Sequence, residues 1–206
     1  MEINKAAEIK GQKETARIEA FSDGVFCVAV TLLAIEIGVE VNKDETNAGL
    51  AASIFKLWPV ILAYFISFVN ILLAWIGHHG LFENLHDTDS FVMITNGLLL
   101  MLIALVPFPT KTLGLFLETD AFKTAVIFYT GYFVLISLAF LLLWHAASRK
   151  QGLLIHGFTA AQIKLFTRNE NIGLFCNSII LATAFISPWV ALAFSFVMWI
   201  YWIVFA

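Results

Sequence analysis

Four stretches of this chain carry no Asp, Glu, Lys or Arg: Leu57 to Phe82, Ser90 to Thr110, Thr124 to Ser148 and Asn171 to Ala206. Uncharged apolar runs above about 18 residues read as membrane-spanning helices, because hydrocarbon solvates neither a charge nor a free backbone group. Composition agrees: 60% of residues are hydrophobic and 13% charged, against about 45–50% and about 25% in soluble domains. That balance excludes a soluble enzyme, a disordered chain and a nucleic-acid binder. The runs are continuously apolar and do not alternate, which excludes a transmembrane β-barrel.

The remaining apolar stretch is the first, from about Ile18 to Val39. At 1.5 Å per residue it spans about 33 Å, enough for a bilayer core. The later spans read as 53–81, 91–106 and 122–147. Pro59 falls in the first turns of the second, where fewer backbone donors need a helical partner. Pro107-Phe108-Pro109 stops the third. A final run of 36 residues as one helix would reach about 54 Å, more than a membrane requires. Ser187-Pro188 supplies a cap and a first helical residue, giving spans 171–186 and 188–205. The expected fold is all-α: one six-helix transmembrane domain over 1–206, with a five-span reading as the alternative.

Lys and Arg in the flanks set orientation. With the N-terminus inside, Lys5, Lys10, Lys13, Arg17, Arg149, Lys150, Lys164 and Arg168 are cytoplasmic; Lys43, Lys56, Lys111 and Lys123 are outside. Both termini are then expected in the cytoplasm of a multi-pass protein in contact with lipid. Met1 to Glu19 is polar and does not read as a cleavable signal. Cys27 and Cys176 are too few for a disulfide framework or a structural metal site. No internal repeat and no matched pair of broken helices, the usual mark of an inverted-repeat transporter, is visible.

Asp23 is the most informative residue. A helix starting at Ser22 would hold only about 13 residues before Glu36, about 20 Å, too short to cross. Asp23 therefore lies inside the helix, and an intramembrane carboxylate points to function. A buried interhelical network, direct contact with a permeating ion, and a plain helix cap remain its three readings. Glu19 at i−4 repels it, so its partner is sought on another helix or subunit: His78, or Arg17 of a neighbour. Trp75-Ile76-Gly77-His78-His79 ends the second span on the same side of the membrane, and at most one of the adjacent histidines can point at Asp23. Along the first helix Gly24, Val28, Thr31, Ile35 and Gly38 form one stripe at helical period, bordered by Leu32. Helix packing accounts for such a stripe as readily as a pore does. Glu36, Glu40, Asp44 and Glu45 gather near the outer end. They read as a solvated loop or, around a symmetry axis, as an acidic mouth concentrating cations.

Arg17 with Phe21-Ser22-Asp23-Gly24 resembles the first-helix signature of the transmembrane protein 175 family of potassium channels, of the bacterial single-repeat type. Trp75 and His78, followed by Leu81-Phe82, resemble its second-helix pattern. The resemblance implies a potassium-preferring cation channel without a Thr-Val-Gly-Tyr-Gly filter. First helices would line a pore on a fourfold axis, so a homotetramer in a bacterial plasma membrane is expected. It further implies that Val28, Leu32 and Ile35 form the constriction and Thr31 the selectivity layer, with potassium passing near Val28 and Thr31. Arg17, Ser22, Asp23, Trp75 and His78 would be the interhelical polar network. The permeant species would be potassium and other monovalent cations, with no cofactor, no resident metal and no enzymatic activity. The competing function is a secondary transporter or proton-coupled carrier using Asp23 and His78.

Overall fold

The computed structural model describes residues 2–38, 46–155 and 157–205. Its helices are α1 (Glu2–Ile35), α2 (Asn47–Phe55), α3 (Trp58–Glu83), α4 (Ser90–Ala104), α5 (Pro107–Phe116), α6 (Phe122–Ser148), α7 (Ala160–Ala184) and α8 (Pro188–Phe205), with a 3-10 turn at Gln151–Leu153. Among the described residues there is no strand, only an antiparallel bridge between Leu85 and Leu154. Four segments are long and apolar enough to cross a membrane: Glu14–Ile35, Trp58–Glu83, Ser90–Phe116 and Phe122–Ser148. α7 carries Lys164, Arg168 and Glu170 in its first half, and α8 is a shorter apolar helix.

Several boundaries differ from the sequence reading, each for a local reason. α1 runs back through the polar N-terminal segment to Glu2. Near that end Gly11 lies so close to the α3–α4 loop that a Cβ would sit 3.3 Å from the Asp87 carboxylate and the His86 carbonyl. The expected second span is divided: α2 ends at Phe55, and α3 starts at Trp58 with Pro59 in its first turn. Pro107-Phe108-Pro109 does not stop the third span. It divides α4 from α5, which restarts at Pro107, where a missing N–H costs nothing. α7 begins at Ala160, well before the expected 171, because Thr159 and Gln162 form a reciprocal capping box. The final break lies where Ser187-Pro188 places it, between Ala184 and Pro188.

α6 is the centre of the bundle, packing on α4, α5, α7 and α8. Trp144 is fully buried in it and donates from Nε1 to Thr167 Oγ1 on α7 at 2.8 Å. α1 packs on α3 and α4 and lies at the edge of this assembly. Its face bearing Ser22, Phe26, Ala29 and Leu33 is buried. Asp89 caps α4, accepting from the Phe91 and Val92 N–H groups at 3.1 Å each. It also accepts from Lys150 at 3.0 Å and pairs with Arg149. The Val92 N–H first, then Lys150 and Arg149, hold its carboxyl well below the usual carboxylate range.

Candidate functional site

Two features of α1 stand out: a polar network near Asp23 and an exposed apolar stripe beyond it. The network has three strands. In the first, Ser22 is fully buried; its hydroxyl donates to the Ile18 carbonyl at 2.8 Å and accepts from Asn96 Nδ2 of α4 at 3.0 Å. The Asn96 oxygen faces His78 Nε2 of α3 at 2.9 Å. A side-chain amide oxygen only accepts, so His78 carries its proton on Nε2. His78 stacks on Phe82 with centroids 4.4 Å apart and meets Phe26 at 5.4 Å. Its Nδ1 is buried with no partner among the described residues.

In the second strand Trp75 Nε1 donates to Asp23 Oδ1 at 2.8 Å. In the third, His79 Nδ1 lies 2.8 Å from Glu19 and Nε2 lies 3.5 Å from Glu83. The Trp75 and His79 rings stack at 5.9 Å. α1 is thus tied to α3 and α4 by neutral amide, hydroxyl and ring contacts as well as by carboxylates.

Within one subunit this replaces the expected Asp23–His78 pairing; the other expected partner, Arg17 of a neighbour, would come from a second copy. Asp23 bonds to Trp75, whereas His78 bonds to Asn96, so the two residues of the carrier reading have different partners. Glu19 does not compete with Asp23, because it turns to His79. Neither Asn96 nor the Glu19–His79 pair was singled out from sequence. The available signal was a lone amide in the charge-free run Ser90 to Thr110, where an unsatisfied polar group is costly. Arg17 is exposed and has no ion pair among the described residues. With Glu14, Phe21, Met93 and Asn96 it lines an open crevice of about 460 Å³ between α1 and α4.

The stripe continues along the unburied face. Val28 is 55% exposed, Leu32 39% and Ile35 74%. Thr31 is also exposed, and its hydroxyl donates to the Val28 carbonyl at 2.9 Å, leaving the oxygen lone pairs free. A Cβ added at Gly24 or Gly38 would touch nothing within 4 Å. At the far end Glu36 pairs with Lys111 of α5 at 2.7 Å. Glu40, Asp44 and Glu45 lie outside the described residues. Among the described residues no group of three or more His, Cys, Asp or Glu could hold a metal.

Comparison with known proteins gives a consistent set of similarities. Residues 17–107 match the family model for the endosomal/lysosomal potassium channel TMEM175. A potassium channel of Chamaesiphon minutus is 39% identical over 94% of this chain and 96% of its own length. A potassium channel of Streptomyces collinus is 39% identical over 66% of each chain. A crystal structure of a lysosomal potassium-selective channel TMEM175 homolog from Chamaesiphon minutus superimposes with a TM-score of 0.83 at 39% identity, covering 94% of this chain and 98% of that one.

Proposed function

The chain belongs to the TMEM175 family, and on that premise we propose that it is a potassium-preferring cation channel whose pore is lined by α1. It is a multi-pass membrane protein of a channel family and not an enzyme. In the proposed arrangement the whole chain is one channel domain with six membrane crossings. Both termini lie in the cytoplasm, and four subunits surround a fourfold axis in the plasma membrane. The Asp23 end is then the inner end and the Glu36 end the outer.

The observation that carries this reading is the two-sidedness of α1. One face is fully used inside the subunit, while Val28, Leu32 and Ile35 are left exposed in a row with Thr31. A single helix encloses nothing, so several copies must meet to make use of that row. Val28 rings present only methyl groups, which supply no ligand and act as a steric or dewetting constriction. Thr31 lies about 4.5 Å further along the axis. Its hydroxyl proton is used within the helix, so its oxygen faces the pore as an acceptor. A ring of such oxygens replaces part of a hydration shell and costs the less tightly hydrated potassium ion less than sodium. Without a carbonyl cage the preference is modest. Ser22, Asp23, Trp75 and His78 hold the inner half of α1 in register, and Arg17 is left for a contact with a neighbouring subunit.

The test is reconstitution of the purified chain in a planar bilayer under a potassium/sodium gradient, with cysteines placed at 28, 31 and 35. Val28→Ala raises conductance, and Thr31→Val moves the reversal potential toward non-selectivity. Current that persists untouched by a small thiol reagent at all three cysteines removes α1 from the pore lining. Steady saturable flux without unitary steps would favour a carrier.

A further inference from the structure

Lys111 lies outside the residues so far given a role, yet among the described contacts it is the cation paired with Glu36, at the end of α1. It sits on α5, which is fixed firmly to the scaffold. Next to Lys111 in the chain, Thr110 Oγ1 is 2.7 Å from Ser67 Oγ. Gly114 packs so closely on α3 that a Cβ there would be 3.0 Å from Val60 Cα. α5 is thus a rigid arm presenting an ammonium group at a set position. Glu36 is the first residue after the α1 helix, directly beyond Ile35. The Glu36 side chain is 30% exposed and that of Lys111 53% exposed, so water and ions reach both.

We infer that Lys111 sets the Glu36 contribution to the outer-end charge of the pore: it holds the Glu36 carboxylate against α5 and cancels it, so that the pair adds no net charge to the threshold above Ile35. This deepens the α1-pore reading and rests on it. The physical consequence follows from symmetry. One uncompensated charge per subunit becomes four around the axis, and a like-charged ring changes the local cation concentration at the mouth. The effect has a range: screening reaches about 30 Å at 0.01 M salt and about 3 Å at 1 M.

The experiment is single-channel recording of the full chain in symmetrical KCl at low and high concentration. Lys111→Gln frees four carboxylates and raises unitary conductance about twofold at about 10 mM KCl, an effect that vanishes near 1 M. Glu36→Gln leaves four uncompensated ammonium groups and lowers conductance by a similar factor at low salt. The double variant Glu36→Gln/Lys111→Gln restores the wild-type conductance at both concentrations, and Lys111→Arg retains the wild-type salt dependence. A purely structural clamp behaves differently: both single variants shift conductance in the same direction, the double is no better, and 1 M salt rescues nothing. That pattern overturns the inference, as does an unchanged conductance in both singles. Absence of potassium current from the unsubstituted chain would instead overturn the channel reading.

Discussion

The bundle contains two polar networks, and they are built differently. The first, at the Asp23 end, joins α1 to α3 and α4 through Ser22–Asn96–His78, Asp23–Trp75 and Glu19–His79. The second joins α3, α5, α6 and α8 in the middle of the scaffold. There the Tyr129 hydroxyl, fully buried, sits 2.9 Å from Ser67 Oγ and accepts from Asn70 Nδ2 at 3.2 Å. Thr110 reaches Ser67, and Trp199 Nε1 donates to Asn70 Oδ1 at 2.8 Å. In this second network each side-chain polar group named has a partner within the subunit. The first leaves ends open: among the described residues, buried His78 Nδ1 has no partner and Arg17 no ion pair, and Asp23 is half-buried. A closed network specifies one packing, because any rearrangement strands a polar group in a low-dielectric interior. A network with open ends admits completion by another subunit or a second arrangement of α1. The lesson is that the scaffold and the helix carrying the exposed stripe are held by different kinds of bond.

The comparison can be broken by removing single members. The largest effect is expected from Asn96→Ala, which strands the His78 ring N–H in the interior and takes away the donor to the buried Ser22 oxygen. Each unsatisfied group costs about 1–3 kcal/mol, so thermal unfolding in mild detergent should show a loss of about 2 kcal/mol or more. The channel's open probability should shift with it, since the lesion lies under α1. If Asn96→Ala proves neutral, the first network does not hold α1. Next is Tyr129→Phe, which removes one hydroxyl while Ser67 keeps Thr110 and Asn70 keeps Trp199. A loss of about 1 kcal/mol is expected, with the potassium/sodium reversal potential unchanged if, as proposed, the scaffold does not line the pore. A changed reversal potential would abolish the division of labour between the two networks. The smallest stability effect belongs to Trp75→Phe, which deletes one donor to a partly solvated carboxylate. It should cost well under about 1 kcal/mol, yet alter gating more than Tyr129→Phe does. Equal gating records from the two variants would show that Asp23–Trp75 has no special hold on α1.

Much of the architecture was legible because a membrane imposes a blunt chemical rule. The charge-free runs had to become helices with internally satisfied backbones, and α3, α4–α5 and α6 occupy them. The break before Pro188 was legible because a cap residue and proline act locally. Pro107-Phe108-Pro109 misled for the same reason. Proline reports that a helix cannot continue unaltered, not whether the chain turns away or restarts in the same direction. The packing of α5 on α3 at Gly114 and Val60 decides that, and it involves residues about 50 positions apart. The helical N-terminal segment of α1 was hidden because its polar composition is as suited to a loop as to an extension lying beside Asp87.

By itself, then, the sequence determined the all-helical membrane class and the long apolar helices, because solvation and helical period depend only on which residues follow one another. It also singled out Ser22, Asp23, Trp75 and His78, which the structure finds hydrogen-bonded between helices. Only the tertiary structure decided which of them bond to which. Asp23 and His78 each had several candidates at the same depth, and choosing among them depends on the angle at which α1, α3 and α4 cross. That angle, a sum of many small packing contacts, sends Asp23 to Trp75 and His78 to Asn96, as the placement of α5 sends Glu36 to Lys111.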